Sequence, residues 1–355
     1  MKSQIPNPKS QINSEFQILN SKLKRNVLLA NYTSFQIGGA AKYFFETKTK
    51  EDVIKAFEWS RIKRVPFFIL GGGSNILVSD EGYNGLVIKF QIPNSKFQIN
   101  SKFQNSKIIV EAGVLLSTVV LAATENSLTG LEWAAGIPGT VGGAIYGNAG
   151  AFGKSMEDII EAVKVLEIEN HKWKIKNLKN KDCKFGYKES IFKKNKNLII
   201  ISAIFELNKG DKKEIIERIE NFLSQKKKTQ PLEFPSAGCV FKNPSTSSAF
   251  TDSRRGRQKL IRQLADKNRK LLKKFPELEE FNKKGMIPAG FLIEKCELKG
   301  KRIGNAQISQ KHANFIINLG KAHAKDVLAL IKLIKKEVKN KFAINLEEEI
   351  QYLGF

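Results

Sequence analysis

The sequence predicts a protein of mixed helix and strand structure, divided into two or three domains. Its 355 residues exceed the roughly 100–200 residues of one ordinary domain. Between residues 31 and 207, strand-like and helix-like stretches alternate, which is typical of mixed α/β proteins. Hydrophobic residues make up 41% of the chain, enough for a substantial core and too many for a disordered protein.

The individual elements follow from composition and spacing. Stretches rich in β-branched and aromatic residues predict strands, and these are 42–47, 66–75, 85–90, 107–113, 156–168, 197–207 and 344–355. Apolar residues at helical spacing predict helices, and these are 51–63, 115–127, 209–228, 259–275 and 323–342. The helix at 209–228 has charged flanks, so we expect it to bridge two domains.

Low-complexity sequence interrupts this pattern. The unit Asn-Ser-x-Phe-Gln recurs near the N-terminus and again at 94–107, but the copies are too short and too few to stack as a solenoid. We therefore interpret the second copy as a surface insertion of the hairpin type, which lengthens a loop at little entropic cost. The predicted organisation is a disordered tail (1–24), a first domain (25–208, insertion about 91–106) and a C-terminal domain (209–355, insertion about 245–285).

The chain is strongly basic, with 60 Lys and Arg residues against 35 Asp and Glu residues and a formal net charge of +25. Such a balance suits nucleic-acid binding. The alternative, which we favour, is a lysine-rich surface, because the charges are mostly lysines spread over the whole chain. A positive surface would also attract anionic small molecules.

The cysteines and the hydropathy of the chain indicate in which cellular compartment the protein is expected. Cys183, Cys239 and Cys296 cannot form a disulfide framework, and no Cys-x-x-Cys pair indicates a zinc site, so no metal is predicted. A reducing compartment, the cytoplasm, is expected. We expect no membrane association, because no apolar run reaches the ~18–20 residues of a membrane span, and the polar N-terminus lacks the apolar centre of a secretory signal.

The first glycine-rich stretch forms the end of the segment 66–75, directly after its apolar part. Glycine allows backbone N–H groups to approach an anion closely, and the neighbouring side chains add donors. It fits neither a Walker A loop nor a GxGxxG fingerprint, so phosphate binding and a tight structural turn both stay open. Its residues are Gly71, Gly72, Gly73, Ser74 and Asn75.

The second stretch, 136–150, has six glycines in fifteen residues. A mobile linker is the alternative, but interleaved Ile, Val and Ala residues have no use in a solvated linker. We therefore favour a buried backbone surface that lies against a flat or anionic ligand. The predicted ligand-binding residues are Gly136, Ile137, Pro138, Gly139, Thr140, Gly142, Gly143, Asn148, Ala149 and Gly150.

These stretches, together with later ones, resemble UDP-N-acetylenolpyruvoylglucosamine reductases, in the shorter branch without a tyrosine-bearing substrate loop. The blocks occur in the family's order from about residue 31 to the end, which makes a chance match very improbable. Besides the two glycine stretches they are YTSFQIGGAA (32–41), CKFGYKESIFK (183–193), PSAGCVFKNP (235–244), AGFLIEKCELKG (289–300), HANFIIN (312–318) and INLEEEIQYLG (344–354).

The resemblance implies a fold, a cofactor and a reaction. The fold is α+β, with a two-part FAD-binding domain of the vanillyl-alcohol-oxidase/PCMH type and a C-terminal α/β substrate-binding domain. NADPH would reduce FAD, and FAD would reduce UDP-N-acetylglucosamine enolpyruvate to UDP-N-acetylmuramate, a peptidoglycan precursor. The protein must stabilise developing charge and deliver a proton. The resemblance also suggests a monomer, with no nucleic-acid partner.

The same resemblance assigns candidate catalytic residues. Cys239 stands where the family most often has Ser, and a thiol can serve as the acid; the alternative is a small buried hydrophobe. Glu349 matches the family's C-terminal carboxylate, although a solvated run of acids is the alternative. Lys188 replaces the family's Arg and lacks its two-pronged hydrogen bonding, so reduced efficiency and impaired activity both stay open. Tyr187, Lys242 and Asn243 are the predicted substrate contacts.

Two other functions are compatible with parts of the sequence. A flavin-dependent oxidase of the same fold would have no use for the blocks at 235–244 and 344–354. A degenerate, basic nucleic-acid-binding relative is supported by charge and Lys188 alone, without a recognisable nucleic-acid motif. We expect Cys183 and Cys296 to be core residues, and the histidines at 312 and 323 to be structural.

Overall fold

The structure is a computed structural model that describes residues 22–90, 98–100, 105–169, 172–245, 273–283 and 285–355. The predicted tail and both predicted insertions therefore lie largely outside the described residues, as does most of the predicted helix at 259–275. Among the described residues, the helices include none with a stretch both long and apolar enough to cross a bilayer.

Strands and helices are numbered here in chain order. The strands are β1 (Lys24–Leu28), β2 (Ala40–Thr47), β3 (Phe67–Leu70), β4 (Ile76–Val78), β5 (Tyr83–Phe90), β6 (Gln98–Asn100), β7 (Asn105–Glu111), β8 (Leu128–Thr129), β9 (Gly150–Ala151), β10 (Lys154–Ser155), β11 (Ile160–Glu169), β12 (Lys172–Lys179), β13 (Leu198–Lys209), β14 (Ser236–Cys239), β15 (Arg302–Ile303), β16 (Ala306–Ile308), β17 (Phe315–Asn318) and β18 (Gln351–Leu353). The α-helices are α1 (Lys50–Ile62), α2 (Leu116–Glu125), α3 (Val141–Tyr146), α4 (Ile191–Lys194), α5 (Lys212–Thr229), α6 (Glu277–Lys283), α7 (Ala289–Lys295) and α8 (Ala324–Phe342). Short 3-10 turns cover Leu29–Tyr32, Glu132–Ala134, Met156–Asp158 and Asn180–Cys183.

The first sheet has the strand order β1-β2-β5-β3, in which β2, β5 and β3 run parallel. Helix α1 provides the crossover between β2 and β3. It begins at a capping box in which Thr49 and Asp52 satisfy each other's backbone N–H groups. Its apolar face buries Ala56 and Trp59 against Leu86 of β5. The first glycine stretch leaves the sheet at the carboxyl end of β3.

The second sheet is antiparallel, with the order β12-β11-β13-β7-β6 and β8 added to β13. β13 is central and is buried on both faces over most of Leu198–Phe205, which explains its nearly continuous apolar run there. β5 and β7 belong to different sheets, so the predicted insertion at 91–106 links two sheets. Its described part, β6, forms a hairpin with β7.

The C-terminal unit is an antiparallel sheet, β14-β17-β16-β15, covered by α7 and α8. A capping box between His323 and Asp326 starts α8, and the helix buries an apolar stripe into this sheet. Phe275 and Leu278, at the end of the second predicted insertion, are buried in the same core.

The chain then returns to the first unit. β18 pairs in parallel with β4, which begins directly after the first glycine stretch. The last strand of the chain therefore lies beside that stretch. Only Gln351–Leu353 of the strand predicted at 344–355 is in a ladder. Phe35, Ile37 and Leu77 of the first unit are buried in the C-terminal core, and the two units therefore pack as one body.

Candidate active site

The two glycine-rich stretches lie against each other, although about 65 residues separate them in the sequence. A Cβ atom built on Gly72 would lie 2.4 Å from the Cα atom of Gly139, closer than any real side chain allows. The Ser74 hydroxyl donates a hydrogen bond of 3.0 Å to the Pro138 carbonyl. The absence of side chains at Gly72 and Gly139 is thus a condition for this contact, and the two stretches form one backbone surface.

A short helix, α3, occupies the middle of the second stretch, where the glycine content predicts no helix. The Thr140 hydroxyl caps it by accepting from the Gly143 N–H. The N–H groups of Val141 and Gly142 donate to the carbonyls of Val114 and Ala112. Tertiary hydrogen bonds to the segment after β7 therefore hold a helix that its own sequence disfavours.

The end of the second stretch is tied to a loop predicted to hold substrate. Asn148 is buried, and its amide donates to the Gly186 carbonyl (2.9 Å) while accepting from the Glu157 N–H (3.0 Å). Ala149 follows directly, and Gly150 is the first residue of β9. The Asn148 side chain thus connects the glycine surface to the residues just before Tyr187.

Backbone pairing places Glu349 next to the end of β14. The Glu349 N–H donates to the Val240 carbonyl at 2.7 Å, one residue after Cys239. The Asn75 amide donates to the Glu349 carbonyl at 3.1 Å. One backbone segment before β18 therefore joins the predicted acid, the predicted carboxylate and the first glycine stretch.

Lys188 completes this cluster by forming an ion pair with Glu349, at 2.8 Å between Nζ and Oε1. The two side chains are only 20% and 14% exposed. Burial acts to lower the pKa of Lys188, but the Glu349 carboxylate outweighs it, and the pKa is raised. Lys188 is therefore firmly cationic at neutral pH.

The charges of the Lys188–Glu349 pair act on the thiol of Cys239. Burial, together with the Glu349 carboxylate, raises the pKa of the thiol to about 12, against the weaker opposing effects of Lys188 and a hydrogen bond with Asn314. The thiol therefore keeps its proton at physiological pH. A protonated, partly buried thiol beside an ion pair can donate a proton but cannot act as a thiolate nucleophile.

The three predicted substrate contacts surround the same cluster. The Tyr187 hydroxyl accepts a hydrogen bond from the Asn243 N–H at 3.2 Å, and the Asn243 side chain accepts from the Ala289 N–H at the start of α7. Lys242 lies between two carboxylates, at 2.6 Å from Glu189 and 3.4 Å from Glu347. Of these, Tyr187 is the most exposed, at 44%.

Asn314 is a site residue that sequence reasoning missed. Its buried side chain accepts from the Phe241 N–H (3.0 Å) and donates to the Phe241 carbonyl (2.9 Å). Its carbonyl accepts from the Val240 N–H. Asn314 therefore fixes the backbone directly after Cys239; its presence in the block HANFIIN was the available signal.

The remaining histidines and cysteines have structural surroundings. The N–H of Asn314 donates to His312, whose pKa burial lowers. His323 is exposed and 3.5 Å from Asp80. Cys183 is fully buried, and Cys296 is partly buried.

A buried lysine supports the second glycine stretch from outside. The Lys226 ammonium, on α5, donates to the Ala135 carbonyl immediately before Gly136. Burial lowers the pKa of Lys226 from 10.5 to about 8. The predicted bridging helix is thus anchored directly to the candidate site.

This pKa makes stability depend on pH. Between about pH 8 and pH 10.5 the folded state binds fewer protons at Lys226 than the unfolded chain, so this group makes the free energy of unfolding rise with pH. Relative to Lys226→Met, the wild type should gain about 2 kcal/mol between about pH 7.5 and about pH 9.5 in urea unfolding. Lys227→Met, at the exposed neighbouring position, should show no such pH-dependent difference. A constant difference between wild type and Lys226→Met at both pH values would contradict the assignment.

Two family models match the chain: the C-terminal domain of UDP-N-acetylenolpyruvoylglucosamine reductase over residues 230–353, and an FAD binding domain over residues 41–170. The UDP-N-acetylenolpyruvoylglucosamine reductase of Clostridium novyi (strain NT) is 37% identical over 333 residues, covering 94% of this chain and 92% of that protein. The chain belongs to the UDP-N-acetylenolpyruvoylglucosamine reductase family. The enzyme of that name from Caldanaerobacter subterraneus subsp. tengcongensis is 38% identical, with 94% of each chain covered.

The fold of this reductase family is also seen in a solved relative. The crystal structure of UDP-N-acetylenolpyruvylglucosamine reductase from Thermus caldophilus aligns with a TM-score of 0.67 at 31% identity, covering 93% of this chain and 99% of that one. The predicted α+β fold, with an FAD-binding domain and a C-terminal reductase domain, is confirmed.

Proposed function

We propose that this protein reduces UDP-N-acetylglucosamine enolpyruvate to UDP-N-acetylmuramate, with FAD as its cofactor and NADPH as the reductant. The observation that carries the proposal is the cluster of a protonated thiol, a lysine and a carboxylate, joined by backbone contacts to the glycine surface. Membership of the reductase family supplies the reaction in which such a cluster has a use.

The glycine surface is the proposed FAD site. Gly71 and Gly72 lie against the second stretch so closely that a Cβ on either would collide with it, which leaves backbone rather than side chains to face a ligand. We assign the cofactor to residues 71–75 and to the predicted residues of 136–150. When bound, FAD supplies the two-electron transfer from NADPH to the substrate.

Cys239 is the proposed proton donor. Saturation of the enolpyruvyl double bond requires one hydride and one proton, and the proton must come from a group that is still protonated at neutral pH. The raised pKa of Cys239 keeps its proton in place until the substrate carbon becomes basic enough to take it. Asn314 holds the backbone that carries this thiol.

Lys188 and Glu349 have complementary tasks. The Lys188 ammonium can pair with the substrate carboxylate and stabilise negative charge that develops beside it. Glu349 keeps the ammonium oriented and cationic, at 2.8 Å, and can orient the substrate or relay the proton. Tyr187, Lys242 and Asn243 are assigned to the rest of the substrate because they surround this pair.

Anaerobic mixing experiments test the function. The purified protein, reconstituted with FAD if required, should be bleached by NADPH and recover its flavin absorbance when the enolpyruvyl nucleotide is added, with a product two hydrogen atoms heavier. Recovery with oxygen but not with the enolpyruvyl nucleotide would favour the oxidase alternative. A protein that cannot bind FAD but binds nucleic acid would favour the other alternative and overturn the proposal.

We also propose a cytoplasmic, monomeric enzyme. Its three cysteines are unpaired in the structure, which suits a reducing compartment. A monomer without nucleic-acid or membrane partners stays a prediction, and size-exclusion chromatography with light scattering checks the oligomeric state.

A further inference from the structure

The backbone of Lys188 has an uncommon conformation. Its φ angle is +56°, in the left-handed region that few residues other than glycine adopt. The neighbouring residues close a tight loop around it, because Gly186 and Glu189 exchange two backbone hydrogen bonds of 3.1 Å and 3.0 Å. The direction in which the Lys188 side chain leaves the loop therefore depends on contacts that hold this backbone.

Lys193 makes such a contact. Its ammonium donates a hydrogen bond of 2.5 Å to the Lys188 carbonyl. Helix α4 carries Lys193 back over the loop, and the Ser190 hydroxyl at the start of α4 is fixed by donating to the Tyr146 carbonyl at 2.7 Å. Lys193 therefore holds the main chain of Lys188, the residue that forms the ion pair with Glu349.

The surrounding charges explain why the Lys193 ammonium remains at the Lys188 carbonyl. Lys193 is partly buried, and burial, together with the nearby Lys242 and Lys188 charges, lowers its pKa, while Glu189 and Glu349 act in the opposite direction. A surface lysine would move away from two other ammonium groups into water. The ammonium of Lys193 stays because a carbonyl oxygen and two carboxylates offset this repulsion.

We propose that Lys193 is a positioning residue for the reductase reaction, which holds the Lys188 main chain so that the Lys188 ammonium faces Glu349 and the substrate carboxylate. This inference rests on the proposed function. It matters in this chain because lysine lacks the rigid fork of an arginine, so the main chain must supply part of the orientation. Lys193 itself touches neither the reacting atoms nor the cofactor in this scheme.

Single-turnover kinetics on the FAD-loaded enzyme test the proposal. Lys193→Met should slow flavin reoxidation by the enolpyruvyl nucleotide about 10- to 100-fold, with flavin reduction by NADPH within about two-fold of wild type. Lys193→Arg should restore most of the lost rate, because its N–H groups can reach the same carbonyl. Lys194→Met is the matched control on the same helix; Lys194 is exposed, and its loss should change neither half-reaction.

A double-mutant cycle separates positioning from general structural damage. In a Lys188→Met background, Lys193→Met should have little further effect on reoxidation, because the group it positions is already gone. Additive losses, equal losses in both half-reactions, or a wild-type rate for Lys193→Met would each overturn the inference. Failure of the wild type itself to be reoxidised would instead overturn the proposed function, so the two failures are distinguishable.

Discussion

Replacement of Cys239 by alanine is expected to slow flavin reoxidation by the enolpyruvyl nucleotide by about 10²–10⁴-fold, the usual contribution of a general acid. Flavin reduction by NADPH needs no proton from this thiol and should keep its rate. Cys239→Ser restores a hydroxyl donor and should retain most of the activity. Anaerobic stopped-flow absorbance of the two half-reactions measures both effects.

The pH dependence gives an independent check. Burial and Glu349 raise the pKa of Cys239 to about 12, so its proton should not be lost below about pH 10 and the reoxidation rate should not fall there on account of this group. Cys296→Ala removes a different partly buried cysteine and should leave both half-reactions intact. A comparable loss of both half-reactions in Cys239→Ala would contradict the role of proton donor.

Replacement of Gly72 by alanine is expected to weaken FAD binding by about 2–3 kcal/mol, or roughly 100-fold. The new Cβ would lie 2.4 Å from the Cα atom of Gly139, and the atoms that it would meet are all backbone, so the two glycine stretches must separate. Titration of the apoprotein with FAD, followed by flavin fluorescence, measures the loss.

Gly147→Ala is the matched control within the second stretch. Its Cβ would meet only the Gly143 carbonyl oxygen at 3.6 Å, an ordinary contact, and FAD affinity should be retained. Ser74→Ala is a milder test of the same surface, because it removes only the 3.0 Å hydrogen bond to Pro138, and a loss of about 5- to 10-fold is expected. Unchanged FAD affinity in a folded Gly72→Ala protein would show that the contact does not serve the cofactor.

The structure shows which contacts of the family's arginine Lys188 can and cannot provide. The ammonium is well placed for one partner, Glu349, and its raised pKa keeps it charged. What lysine cannot provide is a second parallel hydrogen bond to a carboxylate. The Lys193 hydrogen bond to the Lys188 carbonyl acts on the backbone instead and restricts where the ammonium can lie.

Several elements could be predicted because local signals agree with the tertiary structure. The apolar spacing at 323–342 gave α8, and the β-branched run at 197–207 gave the central strand β13. Helix α3 could not be predicted, because its glycines disfavour a helix, and the Thr140 cap together with hydrogen bonds to Val114 and Ala112 holds it. The predicted strand at 344–355 was too long, since only Gln351–Leu353 is in a ladder, while Glu347–Glu349 contact the backbone directly after Cys239.

The sequence by itself determined the family, the cofactor class and the residue types available for proton transfer, because these are carried by ordered blocks of residues that need no coordinates to be recognised. Only the tertiary structure decided that Lys188 pairs with Glu349, that Asn314 and Lys193 support the reacting groups, and that the two glycine stretches touch. Apart from the Lys193–Lys188 hydrogen bond, which spans five positions, those contacts join residues from about 65 to about 160 positions apart, some through backbone atoms that every residue possesses. No local pattern in a sequence encodes such contacts.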